Sequence, residues 1–119
     1  MAAENRTDEL FRALGDPTRR RMMDLLAQHE SMTVSELSAC FPDLVRSGIS
    51  KHLMALREAG LVYATKSGRE QHYRINAEAM AELLGPWVAN YEKYWAPKLN
   101  ALKREAEARE RAKQESPED

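Results

Sequence analysis

Apolar residues recur at three- and four-residue intervals through most of the chain, as amphipathic helices require, and the rhythm becomes strand-like after Gly60. Leu10, Phe11 and Leu14 mark a first helix that Thr7 can cap. Gly15-Asp16-Pro17 ends it and opens a second, with Asp16 as N-cap and Pro17 in the first turn, where a missing N–H costs nothing. Met22, Met23, Leu25 and Leu26 form the core face of that second helix. Thr33-Val34-Ser35-Glu36 is a capping-box pattern, so a short third helix runs from there to about Cys40. After the turn Phe41-Pro42-Asp43 a fourth helix spans about Val45 to Ala59, burying Ile49, Leu53 and Leu56. Gly60 stands where a left-handed cap is needed, and Leu61-Val62-Tyr63 then reads as a strand. Lys66-Ser67-Gly68-Arg69 supplies a basic glycine turn, and Glu70 to Ile75 returns as the second strand of a hairpin. Gly85-Pro86 begins a last helix, in which Trp87, Tyr91, Tyr94, Trp95, Leu99 and Leu102 recur at helical spacing and Pro97 predicts a kink.

The fourth helix is two-faced: Arg46, Ser50, Lys51, Met54 and Arg57 fall off its apolar stripe. One side packs and the other is free to enter a major groove, and the hairpin that follows is placed to act as a wing. Charge distribution supports this. The whole chain carries a formal charge of −1, but residues 42–75 hold six basic side chains against three acidic ones, a local +3, while residues from Asn76 onward hold seven against nine. Positive charge is thus concentrated where phosphate would be met.

Several segments together resemble the ArsR/SmtB family of winged helix-turn-helix repressors. Phe11-Arg12-Ala13-Leu14-Gly15-Asp16-Pro17-Thr18-Arg19 is similar to its opening motif, and Ile49-Ser50-Lys51-His52-Leu53 to its recognition-helix motif. Leu56-Arg57-Glu58-Ala59-Gly60-Leu61-Val62 leads into the wing as in the family, and Gly68-Arg69 with His72-Tyr73-Arg74-Ile75 resembles the wing itself. The resemblance implies a homodimeric repressor binding an inverted repeat of double-stranded DNA. Where most members carry a capping Ser, this chain has Val45, which cannot accept that hydrogen bond; Asp43 is then expected to cap one turn earlier and extend the helix. Gly48 has no side chain with which to read a base. Arg46 is the first choice for a base contact, since its fork matches guanine O6 and N7. Ser47 and Ser50 suit phosphate or base edges, Lys51 suits phosphate, and His52 divides between a DNA contact and a structural hydrogen bond. Lys66 and Arg69 of the wing are placed beside the adjacent minor groove.

The metal sites the family is known for find no ligands here. Thr33, Val34 and Ser35 occupy the positions of a Cys-Val-Cys-type thiolate arrangement, and the last-helix site of Asp, His and Glu would fall near Ala77 and Ala79, which cannot coordinate. His29, His52 and His72 are dispersed, so no metal and no cofactor is expected. No catalytic constellation forms either, which argues against an enzyme. Cys40 is the single cysteine and excludes an intrachain disulfide; it reads first as a small packed residue near Phe41.

A chain of 119 residues without an apolar run of membrane length, or a signal sequence, is expected to be cytoplasmic and to touch no membrane. So small a domain gains core by pairing, and the aromatic stripe of the last helix is the natural interface. The expected architecture is mainly α with a small β-hairpin, a winged helix-turn-helix dimerised through its first and last helices. Dimer contacts are assigned to Leu10, Phe11, Leu14, Trp87, Tyr91, Trp95 and Leu99. Residues 1–102 would form the DNA-binding and dimerisation domain, and the charged residues 103–119 an exposed helical extension or a frayed tail. The effector is unknown; a redox- or small-molecule-responsive repressor, or a protein-interaction module on the same scaffold, are the alternative readings.

Overall fold

The structure is a computed structural model and describes the backbone of residues 2–115 and side chains from residue 5 to 115. Its elements are α1 (Ala2–Leu14), α2 (Pro17–His29), β1 (Met32–Thr33), α3 (Val34–Ala39), α4 (Arg46–Glu58), β2 (Val62–Ser67), β3 (Glu70–Ile75), α5 (Ala77–Ala89) and α6 (Glu92–Glu115). Contacts group residues up to Gly85 into one compact unit and those from Pro86 onward into another.

In the first unit two of the expected N-caps form. Asp16 accepts from the Arg19 amide at 3.0 Å with Pro17 in the first turn of α2, and Thr33 and Glu36 exchange both bonds of a capping box at the start of α3. Thr7 is not a cap. It lies inside α1, which begins five residues earlier, and its hydroxyl donates to the Leu83 carbonyl at 3.5 Å. Asp43 does not extend α4 either: the helix starts at Arg46, with Val45 as an N-cap that makes no side-chain bond. Gly60 has φ +83°, and the amides of Gly60 and Leu61 return to the carbonyls of Arg57 and Leu56, a complete Schellman stop. Leu56 and Leu61 are both fully buried beside it.

Leu10, Met22, Leu26, Leu37, Ile49, Leu53, Leu56 and Leu61 form the centre of the core, so α1 to α4 share one apolar interior. The sheet has three antiparallel strands in the order β1-β3-β2, with Met32 opposite Tyr73 and Val62 opposite Ile75. The hairpin alone is the expected part; β1 is an addition, and it ties the middle of the wing to the start of α3. Ser67 pairs with Glu70, so Gly68 and Arg69 are the whole loop, with Gly68 at φ +65° in the first central position as a type II′ turn demands.

Gly85-Pro86 does not begin a helix. Asn76 caps α5 by accepting from the Ala79 amide at 3.1 Å, the helix runs on through both exposed residues, and the interruption falls at Asn90–Tyr91. A proline at this position forfeits one bond of the ladder, which the neighbouring turns of α5 tolerate. In the second unit, α6 passes through Pro97 and remains helical to Glu115, with no buried residue, so the charged segment is an exposed helix as far as the described residues reach. Among the described residues no helix is long and apolar enough to cross a membrane.

Candidate nucleic-acid interface

The surface that α4 turns away from the core carries Ser47, Lys51 and Met54, all exposed, with Ser50 half-buried beside them. At about 100° per residue, Ser47, Lys51 and Met54 lie within roughly 60° of one another, opposite Ile49, Leu53 and Leu56. Hydrophobic spacing therefore fixes which side chains are available to a groove. Met54 is 59% exposed at the centre of this face. The sequence reading noted that it lay off the buried stripe but did not assign it a role; the signal was an apolar residue where solvation favours a polar one. An apolar side chain there suits the C5-methyl of thymine.

Arg46 stands about 100° from Ser47 and about 140° from Lys51 around the helix. Its Nη1 donates to Ser35 Oγ on α3 at 3.0 Å, which turns the guanidinium sideways toward the wing. A cleft of about 260 Å³ opens there, lined among others by Thr33, Val34, Ser35, Arg46, Arg69 and Gln71. Lys66 and Arg69 are exposed on the wing, one on β2 and one at the tip. His52 lies on the opposite flank of α4, half-buried, where its Nδ1 accepts from Arg19 Nε at 3.2 Å and stands 3.9 Å from Asp16 Oδ2. Of the two roles open to it, the geometry provides the structural hydrogen bond.

Val45 is 72% exposed at the uncapped start of α4, and Gly48 beside it leaves open space, the nearest atom to an added Cβ being Val45 Cγ2 at 3.9 Å. The first turn of α4 is thus slim and carries no side-chain cap, a form that lets a helix end approach nucleic-acid backbone closely.

The residues expected at a subunit interface divide. Leu10 is 0% exposed in the protomer's own core and has no surface to give a partner, a correction to its assignment: helical phase turns it inward with Ala13. Phe11 is exposed and Leu14 half-buried. In the second unit Trp87 is 47% and Tyr91 45% exposed, their rings 5.0 Å apart and tilted by 52°, and Leu99 is also exposed while Trp95 is half-buried. Cys40 is half-buried next to Phe41, its thiol directed at the Glu36 carbonyl at 3.6 Å. Among the described residues no group of three or more His, Cys, Asp or Glu side chains converges.

Residues 14–62 match a helix-turn-helix domain family. The chain is 35% identical over 86 residues to the HTH-type transcriptional regulator YuzN of Bacillus subtilis, covering 68% of this chain and 94% of that one. Among solved structures it resembles an ArsR family transcriptional regulator at 30% identity and TM-score 0.65, covering 78% of this chain and 93% of that one. It also resembles the homodimeric winged helix-turn-helix DNA-binding domain of a possible ArsR-family regulator from Mycobacterium bovis, at 28% identity and TM-score 0.62, covering 79% and 85%.

Proposed function

The chain belongs to the ArsR family of winged helix-turn-helix transcriptional regulators, and from that premise we propose that it acts as a homodimeric repressor of an inverted-repeat operator. It is a DNA-binding regulator rather than an enzyme. The observation that carries the finer reading is the outward face of α4: Ser47, Ser50, Lys51 and Met54 gathered on one side, followed at once by a basic two-residue wing. Polar and apolar groups on that face match the mixed donor, acceptor and methyl pattern of a major groove, and Lys66 and Arg69 supply charge to the flanking backbone. Two copies would present two such helices to half-sites about one helical turn apart. The homodimeric neighbour and the exposed aromatic surface of α5 and α6 support pairing.

Release by metal through the family's known positions does not fit these side chains. Thr33 Oγ1 is occupied as the cap of α3, Ser35 Oγ accepts from Arg46, and the third-helix pair offers no thiolate. Residues 1–102 are read as the working domain and 103–119 as an appended charged extension, in the cytoplasm where the operator is. A gel-shift titration on the DNA upstream of the protein's own gene, with and without unrelated competitor duplex, tests the reading. A discrete complex that survives competitor is expected; binding that competitor abolishes at equal mass would refute sequence-specific repression.

A further inference from the structure

We propose that the cleft between α3, the start of α4 and the wing is the seat of a single DNA phosphate, gripped jointly by Arg46 and Arg69, and that Arg46 reads no base. The inference rests on the DNA-binding reading above. A helix in the major groove and a wing in the neighbouring minor groove are separated by one sugar-phosphate strand, which has to run between them. In this protein the space between them is the cleft lined by Ser35, Arg46, Arg69 and Gln71.

The donor inventory fits a phosphodiester. Arg46 spends one N–H on Ser35 Oγ, and that bond holds the guanidinium on the wing side of α4, away from the face shared by Ser47, Lys51 and Met54. Four guanidinium donors remain on Arg46, and the Ser35 hydroxyl, having accepted, still has its own hydrogen to give. Gln71 accepts from the Tyr73 hydroxyl through Oε1 at 3.5 Å, which leaves its amide hydrogens. Arg69 enters from the hairpin tip. Against these two cations the cleft holds one carboxylate, Glu70, and among the described residues neither arginine is ion-paired with it. A cleft with two guanidiniums against one carboxylate that pairs with neither, and with several spare donors from three elements, suits one tetrahedral anion. Bidentate reading of guanine asks for the opposite arrangement, a fork on the outward face of the helix pointing at the groove floor. Base reading then falls to Ser47, Ser50 and Met54.

The test begins with a duplex selected by the wild-type full chain from a random-core pool. Arg46→Ala should weaken binding to that duplex and to a scrambled one by the same factor, about tenfold, and lower the slope of log affinity against log salt by about one. Arg46→Lys should retain most of the affinity on the selected and the scrambled duplex alike, because a phosphate accepts a point charge. Selection repeated with Arg46→Ala should return the same consensus. One uncharged methylphosphonate in the strand between the two grooves should cost the wild type about tenfold and Arg46→Ala nothing further. A consensus altered at one base pair, or an Arg46→Lys protein that loses the selected duplex while keeping the scrambled one, overturns the proposal. A wild-type chain that retains no duplex from the pool overturns the DNA-binding reading itself, and does so before any variant is made.

Discussion

Arg19 Nε donates to His52 Nδ1 at 3.2 Å, tying the first turn of α2 to the middle of α4. The bond needs a lone pair on Nδ1, so it belongs to the neutral tautomer with hydrogen on Nε2. Arg19 also gives its amide to Asp16, so the same residue closes the cap of α2 and braces the recognition helix. On the proposed DNA-binding reading, His52 would act through the position of α4 and not through a contact of its own. His52→Ala should cost about 1 kcal/mol of stability and lower affinity for selected and scrambled duplexes alike. Binding selections compared between wild type and variant check this, and a changed base at one operator position would return His52 to the DNA face.

Two glycines of the α4 region are expected to respond in opposite directions. Gly60 is held at φ +83°, and a Cβ there would lie 3.6 Å from Leu83 Cδ1, an ordinary contact. The cost of Gly60→Ala is therefore backbone strain, about 1 kcal/mol or more. Gly48 sits in the first turn of α4 with right-handed geometry and open space around it, so Gly48→Ala should stabilise by roughly 0.5–1 kcal/mol. Urea midpoints at matched slopes measure both; equal shifts of the same sign would contradict the assignment.

These elements show what was legible and why. The Asp16-Pro17 start, the Thr33–Glu36 box and the Gly60 stop are readable because each depends on a few adjacent residues, whereas Thr7 and Asp43 carry the same local signal and the packed chain does not use it. The buried stripe of α4 was readable because period and burial agree at Ile49, Leu53 and Leu56. β1 was not, since two residues carry no alternation and their pairing with β3 is set forty residues away. Asn76 is a weaker signal in sequence than Gly85-Pro86, yet it is Asn76 that caps α5 and the helix that absorbs Gly85-Pro86. Within the candidate interface, helical spacing tells which α4 side chains are exposed but not that Arg46 bonds laterally to Ser35, which depends on how α3 and α4 pack.

Acid should loosen the helix starts first. The Asp16 carboxyl is held below the ordinary carboxylate range chiefly by the Arg19 amide, with the charge of Arg19 assisting, and Glu36 is lowered by the backbone and hydroxyl of Thr33. A carboxyl whose pKa is lower in the folded chain contributes stability above its unfolded value, near pH 4, and loses it as pH falls through the folded value. Denaturation between about pH 5 and pH 2 should therefore show stability falling with pH. Asp16→Asn preserves a capping oxygen and should flatten part of that slope; an unchanged slope would place the acid sensitivity elsewhere.

Stoichiometric zinc, cadmium or arsenite should leave the protein on its DNA. Thr33 and Ser35 replace a thiolate pair and are already engaged within the protein, while Ala77 and Ala79 carry no ligand atoms. Fluorescence anisotropy of a labelled duplex during a metal titration decides the matter, a tight saturable release being the contrary result.

Trp87, Tyr91 and Leu99 remain exposed in the protomer, Trp95 is half-buried, and Phe11 and Leu14 offer a second apolar surface. At about 25 cal/mol per Å2, burying the rest of one tryptophan is worth on the order of 1–2 kcal/mol, and several such residues together make association favourable. Leu10 contributes nothing to it, being already spent on the protomer's core. Tyr91→Ala combined with Trp95→Ala should therefore shift the chain toward monomer while its far-ultraviolet helical signal stays close to wild type, because neither side chain is in the core. Operator affinity should fall with it although both residues lie outside the α4 face and wing, since a single recognition helix forfeits the second half-site. Phe11→Ala should produce the same shift to a smaller degree, whereas Leu10→Ala should unfold the protomer, costing about 2–5 kcal/mol through a core cavity. Sedimentation velocity separates these outcomes: a double variant that stays dimeric and binds its operator normally would remove the aromatic surface from the interface.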